Sequence, residues 1–199
     1  KDNHASYYPG GKEMALKLVY ERKTGRLLGA QAFGGEGVEK RIDVLATALH
    51  GKMTLDDLAE LDLSYAPPFS SANDPVNLAA FIGQNDISGY APLETAAELK
   101  AALAAAKAGG AAALVLDVRN QAEYEEGHVA GSLNVPVDEL RFRLAELPRG
   151  VRIHSHCRSG FRSHLAMRIL KQNGYEDVVN VTGGFMAILA DGGFDLVRG

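Results

Sequence analysis

The sequence predicts two units in series: an α+β unit, then an α/β unit built on a central, mostly parallel sheet. Three observations predict it. The first part opens on a hairpin pattern and continues into helices. The second part alternates apolar strands with helices, which argues an α/β layer fold with right-handed crossovers. Between them, Gly83-Gln84-Asn85-Asp86-Ile87-Ser88-Gly89 is short, polar and glycine-bearing, and reads as a boundary. The units are therefore placed at 1–84 and 92–199, with a linker at 85–91, and a chain of 199 residues suits two small domains.

In the first unit, alternation at Leu16, Leu18 and Tyr20 predicts a β-hairpin over Met14–Phe33, turning at Lys23-Thr24-Gly25. A helix is predicted over Val38–Leu49, with Ile42, Leu45 and Leu49 inward and Gly51 as its stop. Thr54 with Asp57 makes a capping box for the next helix. Pro67-Pro68 keeps Leu61–Phe69 irregular, and Pro75 at the first helical position starts a helix running roughly to Ile82. In the second unit the pattern predicts an alanine-rich helix over Leu93–Ala108 and a buried strand over Ala111–Leu116. A helical turn at Gln121–Glu126, a strand near Ser132–Val135 and a helix from Asp138 to about Glu146 follow. Val151–His156 is a strand, a helix starts near Ser163, Val178–Val181 is the last strand, and Gly183-Gly184 opens the final helix.

A net charge of −4 with interspersed signs gives no electrostatic case for nucleic acid or an anionic membrane surface. One cysteine cannot close an internal disulfide, which favours a reducing, cytoplasmic compartment. No apolar run reaches the ~20 residues of a membrane helix, and the start Lys1-Asp2-Asn3-His4 has no signal-peptide pattern. It also lacks an initiator methionine, which suggests a piece of a longer protein.

The chemistry-bearing stretch is Val151–Asn173, where a strand, a loop opening on Cys157 and a helix follow one another. Backbone N–H groups of such a loop, running from Arg158 through Ser159, Gly160, Phe161 and Arg162 to Ser163, can converge on the sulfur, and the helix dipole points the same way. Arg158 and Arg162 add positive charge. Such surroundings lower a thiol pKa from about 8.5, so the site suits a thiolate nucleophile or a sulfur anion bonded to it. The bland alternative is a small buried hydrophobe at a strand end. No metal-ligand cluster is expected.

Over nearly all of Tyr90–Gly199 the chain resembles the rhodanese family. The residues that carry this are Leu114–Arg119 (LVLDVR), Glu123–Pro136 (EYEEGHVAGSLNVP), Cys157–Ser163 (CRSGFRS) and Val181–Phe185 (VTGGF). The resemblance implies a sulfurtransferase in which Cys157 takes sulfur from thiosulfate, polysulfide or a persulfide, carries it as a persulfide, and passes it to a thiol acceptor. Arg158 would attract an anionic donor, Arg162 would chiefly brace the loop, and Asp117 with Arg119 would brace the strand end. Glu123 and His128 read as scaffold; strand alternation would turn His154 and His156, near the cysteine, away from it, the alternative being that either serves as a proton donor.

The first part resembles the dimerisation domain of flavin-dependent pyridine nucleotide–disulfide oxidoreductases, especially CoA-disulfide reductases and NADH-dependent persulfide reductases fused to rhodanese. The residues are His4–Gly10 (HASYYPG), Gly29–Ala46 and Tyr65–Asn77 (YAPPFSSANDPVN). This implies a homodimeric full-length enzyme using FAD, NAD(P)H and CoA, to whose reductase site Tyr65 and Tyr7 (rather than Tyr8) would contribute across the dimer. The chain has no G-x-G-x-x-G after a strand and no second cysteine. The fragment alone is expected to bind none of these cofactors and to depend on a flavin domain that precedes it.

Two rivals remain at this stage. One is a non-catalytic dimerisation and sulfur-carrier binding module. The other is a phosphatase or arsenate reductase, but phosphatases of related fold space their cysteine and arginine further apart, and the four residues between Cys157 and Arg162 make a cup better matched to one sulfur atom than to phosphate.

Overall fold

The computed structural model describes residues 2–199 and divides the chain into two compact units, Lys1–Tyr90 and Ala91–Gly199. In the first, β1 (Met14–Tyr20) and β2 (Leu27–Gly34) form an antiparallel hairpin with Lys17 opposite Gln31 and a register shift at Val19/Tyr20. Gly25 sits at the turn with φ +73°, a conformation that favours glycine. Helix α1 (Val38–His50) buries Arg41, Leu45 and Ala48. The inward stripe thus includes an arginine, while Ile42 and Leu49 are only half-buried. Helix α2 (Leu55–Ala59) has the expected Thr54/Asp57 capping box. Leu27, Leu45, Ala48, Leu58, Val76 and Ala80 make the core.

Helix α3 (Pro75–Ile87) runs past the expected end near Ile82 and takes in Asn85–Ile87, the first residues of the stretch read as linker, while the division between the units falls at Tyr90/Ala91. Two contacts explain this. Asp86 accepts from the Tyr20 hydroxyl at 2.8 Å and pairs with Arg22 at 2.9 Å, tying the helix end to the hairpin. Gly83 acts as a packing residue, since a Cβ there would lie 2.6 Å from Leu55 Cδ1.

Arg41 is the buried knot of this unit. Its guanidinium donates to Asp74 at 2.8 and 3.2 Å, to the Asn3 carbonyl at 2.7 Å and to the Gly37 carbonyl at 3.0 Å. Burial pushes the Asp74 carboxyl up, but bonds from Arg41, the Val76 amide and Ser70 outweigh it and hold the pKa below the usual range. Arg41→Met therefore strands a buried carboxylate. We expect it to destabilise the unit by about 3–5 kcal/mol, as for other broken buried pairs, measured by urea unfolding. A depressed folded pKa stabilises above the unfolded value of about 3.9, so this contribution disappears as the pH falls through the folded value.

The second unit is an α/β sandwich around a parallel sheet ordered β3-β8-β7-β4-β6. Its strands are β3 (Leu93–Glu94), β4 (Ala113–Asp117), β6 (Leu133–Asn134), β7 (Arg152–His156) and β8 (Val178–Val181). Helices α4 (Ala96–Lys107), α5 (Gln121–Glu126), α6 (Phe161–Gln172) and α7 (Gly184–Asp191) complete the framework. One core cluster includes Leu116, Ile153, Met167 and Leu170, and another includes Leu99, Val115, Val181 and Ile188. Apolar packing on both faces explains why β7 and β8 lack alternation.

Four sequence expectations need correction here. Leu93–Glu94 is an edge strand paired with β8, and α4 starts after Thr95, whose hydroxyl forms a capping box with Glu98. No α-helix forms from Asp138; i→i+3 turns lead to a 3-10 turn at Leu144–Glu146, stopped before Pro148. Val178–Val181 is not the last strand, because β9 (Leu196–Val197) pairs antiparallel with β5 (His128–Val129). Helix α6 begins at Phe161, nearer the cysteine than expected. Among the described residues, no helix is long and apolar enough to cross a membrane, and no cluster of His, Cys, Asp and Glu could hold a metal.

Candidate active site

Cys157 follows β7, the middle strand of the sheet, at its carboxyl end, where α/β folds form their sites. The loop turns sharply at Gly160, φ +116°, which serves as the N-cap of α6. That conformation swings the Gly160 N–H onto the Cys157 sulfur at 3.1 Å, with the Ser163 hydroxyl at 3.5 Å. The thiol is 1% exposed and belongs to the apolar cluster beneath it. Burial pushes its pKa up, but the Ser163 hydroxyl and the amides of Ser163, Gly160 and Ser159 outweigh that and hold it below the ordinary thiol value. An inert core cysteine would be buried without these donors.

The arginines divide their tasks. Arg158 is exposed, and Phe161 beside the loop is 71% exposed. Arg162 makes a bidentate pair with Glu123 at 2.6 and 2.7 Å. Its pKa is raised first by Glu123 and, more weakly, by Cys157, so its charge is held beside the sulfur. Bidentate geometry gives that pair directional rigidity as well as charge. Glu123 is itself set by the Asn120 capping box at the start of α5.

Asp117 and Arg119 are buried and pair with each other at 2.6 Å, and Arg119 also binds the Gly127 carbonyl at 2.7 Å and stacks over Phe185. His156 lies between these groups, with Nε2 3.8 Å from Asp117 and Nδ1 3.4 Å from the Cys157 carbonyl, and burial lowers its pKa. His154 pairs with Glu94 at 2.6 Å. His128 stacks on Tyr124 at 3.7 Å.

Two residues have a place in this site that sequence reasoning did not give them, although Gly184 was already read within the VTGGF motif. Asn180 on β8 accepts from the Ser163 hydroxyl at 2.7 Å and donates to the Gly160 carbonyl at 3.2 Å. Its position inside a buried strand, where an amide needs partners, was the available signal. Gly184 comes so close to the loop that a Cβ would sit 2.4 Å from the Cys157 carbonyl oxygen. The amides of Phe185 and Met186 then bind the Cys157 and Arg158 carbonyls at 2.7 and 3.1 Å. In the first unit, Tyr7 and Tyr65 share a hydrogen bond at 3.2 Å, with Tyr7 74% exposed. That bond is the chief reason the Tyr7 pKa is raised.

Residues 95–191 match the family model described as Rhodanese-like domain, and residues 1–75 match that described as Pyridine nucleotide-disulphide oxidoreductase, dimerisation domain. The chain is a pyridine nucleotide–disulphide oxidoreductase dimerisation domain followed by a rhodanese-like domain. In particular, it resembles the C-terminal part of coenzyme A disulfide reductase and persulfide reductase proteins. Reduced Bacillus anthracis CoADR-RHD matches with a TM-score of 0.86 and 39% identity over 96% of this chain and 34% of that one. A NAD-dependent persulfide reductase from A. fulgidus matches with a TM-score of 0.77 and 40% identity, over 94% of this chain and 32% of that one. A coenzyme A disulfide reductase of Staphylococcus aureus (strain bovine RF122 / ET3-1) is 42% identical over 78 residues, 39% of this chain and 18% of that protein. The chain thus spans about a third of the length of the solved relatives and less than a fifth of the curated one.

Proposed function

We propose that the chain transfers sulfane sulfur through a persulfide on Cys157. The observation that carries this is the set of N–H and O–H donors gathered on one buried sulfur. The Cys157 thiolate attacks the outer sulfur of thiosulfate, polysulfide or a small persulfide. A new S–S bond forms, the donor's S–S bond breaks, and its electron pair leaves with sulfite or the shortened thiolate. An acceptor thiolate then attacks the terminal sulfur of the persulfide and returns Cys157 as thiolate. No net proton transfer is required within the loop, so fixed dipoles suffice to stabilise the charge. Exposed Arg158 draws anionic donors in, and Arg162, braced by Glu123, keeps positive charge at the loop.

In the longer proteins that the chain resembles, FAD, NAD(P)H and CoA would supply the reducing chemistry, and this chain has no dinucleotide fingerprint to hold them. Its own contribution there is the Tyr7–Tyr65 pair, whose hydroxyls lie together on an open surface and can donate to a thiol or thiolate. The dimerisation domain would bring a second copy alongside. Intact mass spectrometry after thiosulfate or polysulfide treatment tests the central step: we expect a gain of about 32 Da per sulfur, reversed by a small thiol. No gain with any donor would leave a non-catalytic binding module.

A further inference from the structure

Ser163 has one hydroxyl proton and three acceptors within reach: Asn180 Oδ1 at 2.7 Å, the Gly160 carbonyl at 3.1 Å and the Cys157 sulfur at 3.5 Å. Chemistry decides who holds it at rest. The Gly160 carbonyl can only accept, so the end of the Asn180 amide that faces it at 3.2 Å must be the NH2. Its Oδ1 therefore faces Ser163 and can only accept, which makes the hydroxyl the donor. Both residues are buried, with Ser163 at 0% and Asn180 at 5% exposure, so water does not stand in for a lost partner. A neutral Cys157 thiol is compatible with this, because it can donate its own proton to a Ser163 lone pair.

We propose that Asn180 is a positioning residue that contests the Ser163 proton with the Cys157 sulfur and so sets how readily that sulfur takes up negative charge. When the thiol loses its proton to solvent, the sulfur becomes a charged acceptor, and hydrogen bonds to charged groups are the stronger ones. Turning the hydroxyl to the sulfur strips a buried amide oxygen of its donor, a penalty that offsets part of the gain. Asn180 thereby holds the thiol less acidic than the loop alone would make it. The inference rests on the reading of Cys157 as a sulfur carrier, and it identifies what tunes that carrier.

Other groups around the sulfur act alongside this one. From α6 comes the Arg162 guanidinium. On β7, His156 touches the Cys157 carbonyl, with Asp117 of β4 behind it. Arg158 is on the loop, and α7 presents the Phe185 and Met186 amides to the loop carbonyls. All are common to the variants below. Losing Asn180 also takes a donor from the Gly160 carbonyl, but equally for thiol and thiolate.

Cys157 is the chain's single cysteine, so iodoacetamide alkylation against pH reads its titration without ambiguity. The measurement is made on the 199-residue chain with Asn180→Leu, Ser163→Ala and the double variant. Asn180→Leu should lower the midpoint by about half a unit, roughly a threefold larger thiolate population at a fixed pH below it. In the Ser163→Ala background the same substitution should leave the midpoint where it was. A midpoint that rises or stays put in Asn180→Leu, or an equal shift in both backgrounds, overturns the proposal, since plain loop support would act without the hydroxyl. If circular dichroism shows Asn180→Leu unfolded, Asn180→Ala is run through the same cycle under the same criteria. Normal sulfur loading without this coupling sinks the inference alone, whereas a coupled titration without loading sinks the transfer reading alone.

Discussion

Cys157→Ser will abolish sulfur loading while leaving the fold intact. The two side chains differ by one atom, and the buried site that already encloses the larger sulfur admits the smaller hydroxyl. An alcohol, however, does not ionise under the donors that suffice for a thiol, and the chain holds no second cysteine to take over. Loss of a nucleophile of this kind costs on the order of 10³-fold or more, so turnover of thiosulfate with a thiol acceptor should fall to background. Before substitution, the loading rate should rise with pH through a midpoint below the ordinary thiol value of about 8.5, because the Ser163 and amide bonds outweigh the effect of burial. An ordinary midpoint, or turnover surviving in Cys157→Ser, would remove the sulfur from the mechanism.

Gly184→Ala will dismantle the loop from behind. The added Cβ would stand 2.4 Å from the Cys157 carbonyl oxygen and 2.8 Å from the Arg158 carbonyl, both backbone atoms that cannot rotate away. The same carbonyls are held by the first amides of α7, so the clash must push helix and loop apart and break those bonds. The backbone at Gly184, φ +56°, adds strain of about 1–3 kcal/mol for a residue with a side chain. Displacement of a reacting group by about an ångström costs on the order of 10²-fold, and that is the expected fall in loading rate. Gly131→Ala is the control: it too has positive φ, +78°, but nothing lies within 4 Å of its added Cβ. Equal losses in both variants would show that strain alone, and not the approach of α7 to the loop, is responsible.

The elements that local chemistry decides were legible in the sequence. The hairpin alternation of β1 and β2, the Thr54/Asp57 and Asp74–Pro75 helix starts, and the strand–loop–helix around Cys157 all depend on neighbours in the chain. Elements decided by distant partners were not. Leu93–Glu94 is a strand because β8 lies beside it, and Leu196–Val197 because β5 does. Helix α3 reaches Asn85–Ile87, the start of the stretch read as a linker, because Tyr20 and Arg22 hold Asp86 at its end. The stretch from Asp138, with helix-forming residues, is drawn into turns that bury Leu140 and Leu147 under the sheet.

By itself the sequence determined the succession of an α+β and an α/β unit, the place of the one cysteine at the end of a strand, and the short loop with its arginines that follows it. Only the tertiary structure decided what surrounds that thiol: Glu123 fixes Arg162, Gly184 lets α7 reach the loop carbonyls, and Asn180 accepts from the Ser163 hydroxyl. The physical reason is range. Capping, turns and hydrophobic periodicity act over a few residues and leave their mark in the order of letters. The partners that hold the loop around Cys157 are 17 to 39 positions from the loop residues they bind, and only folding brings them there.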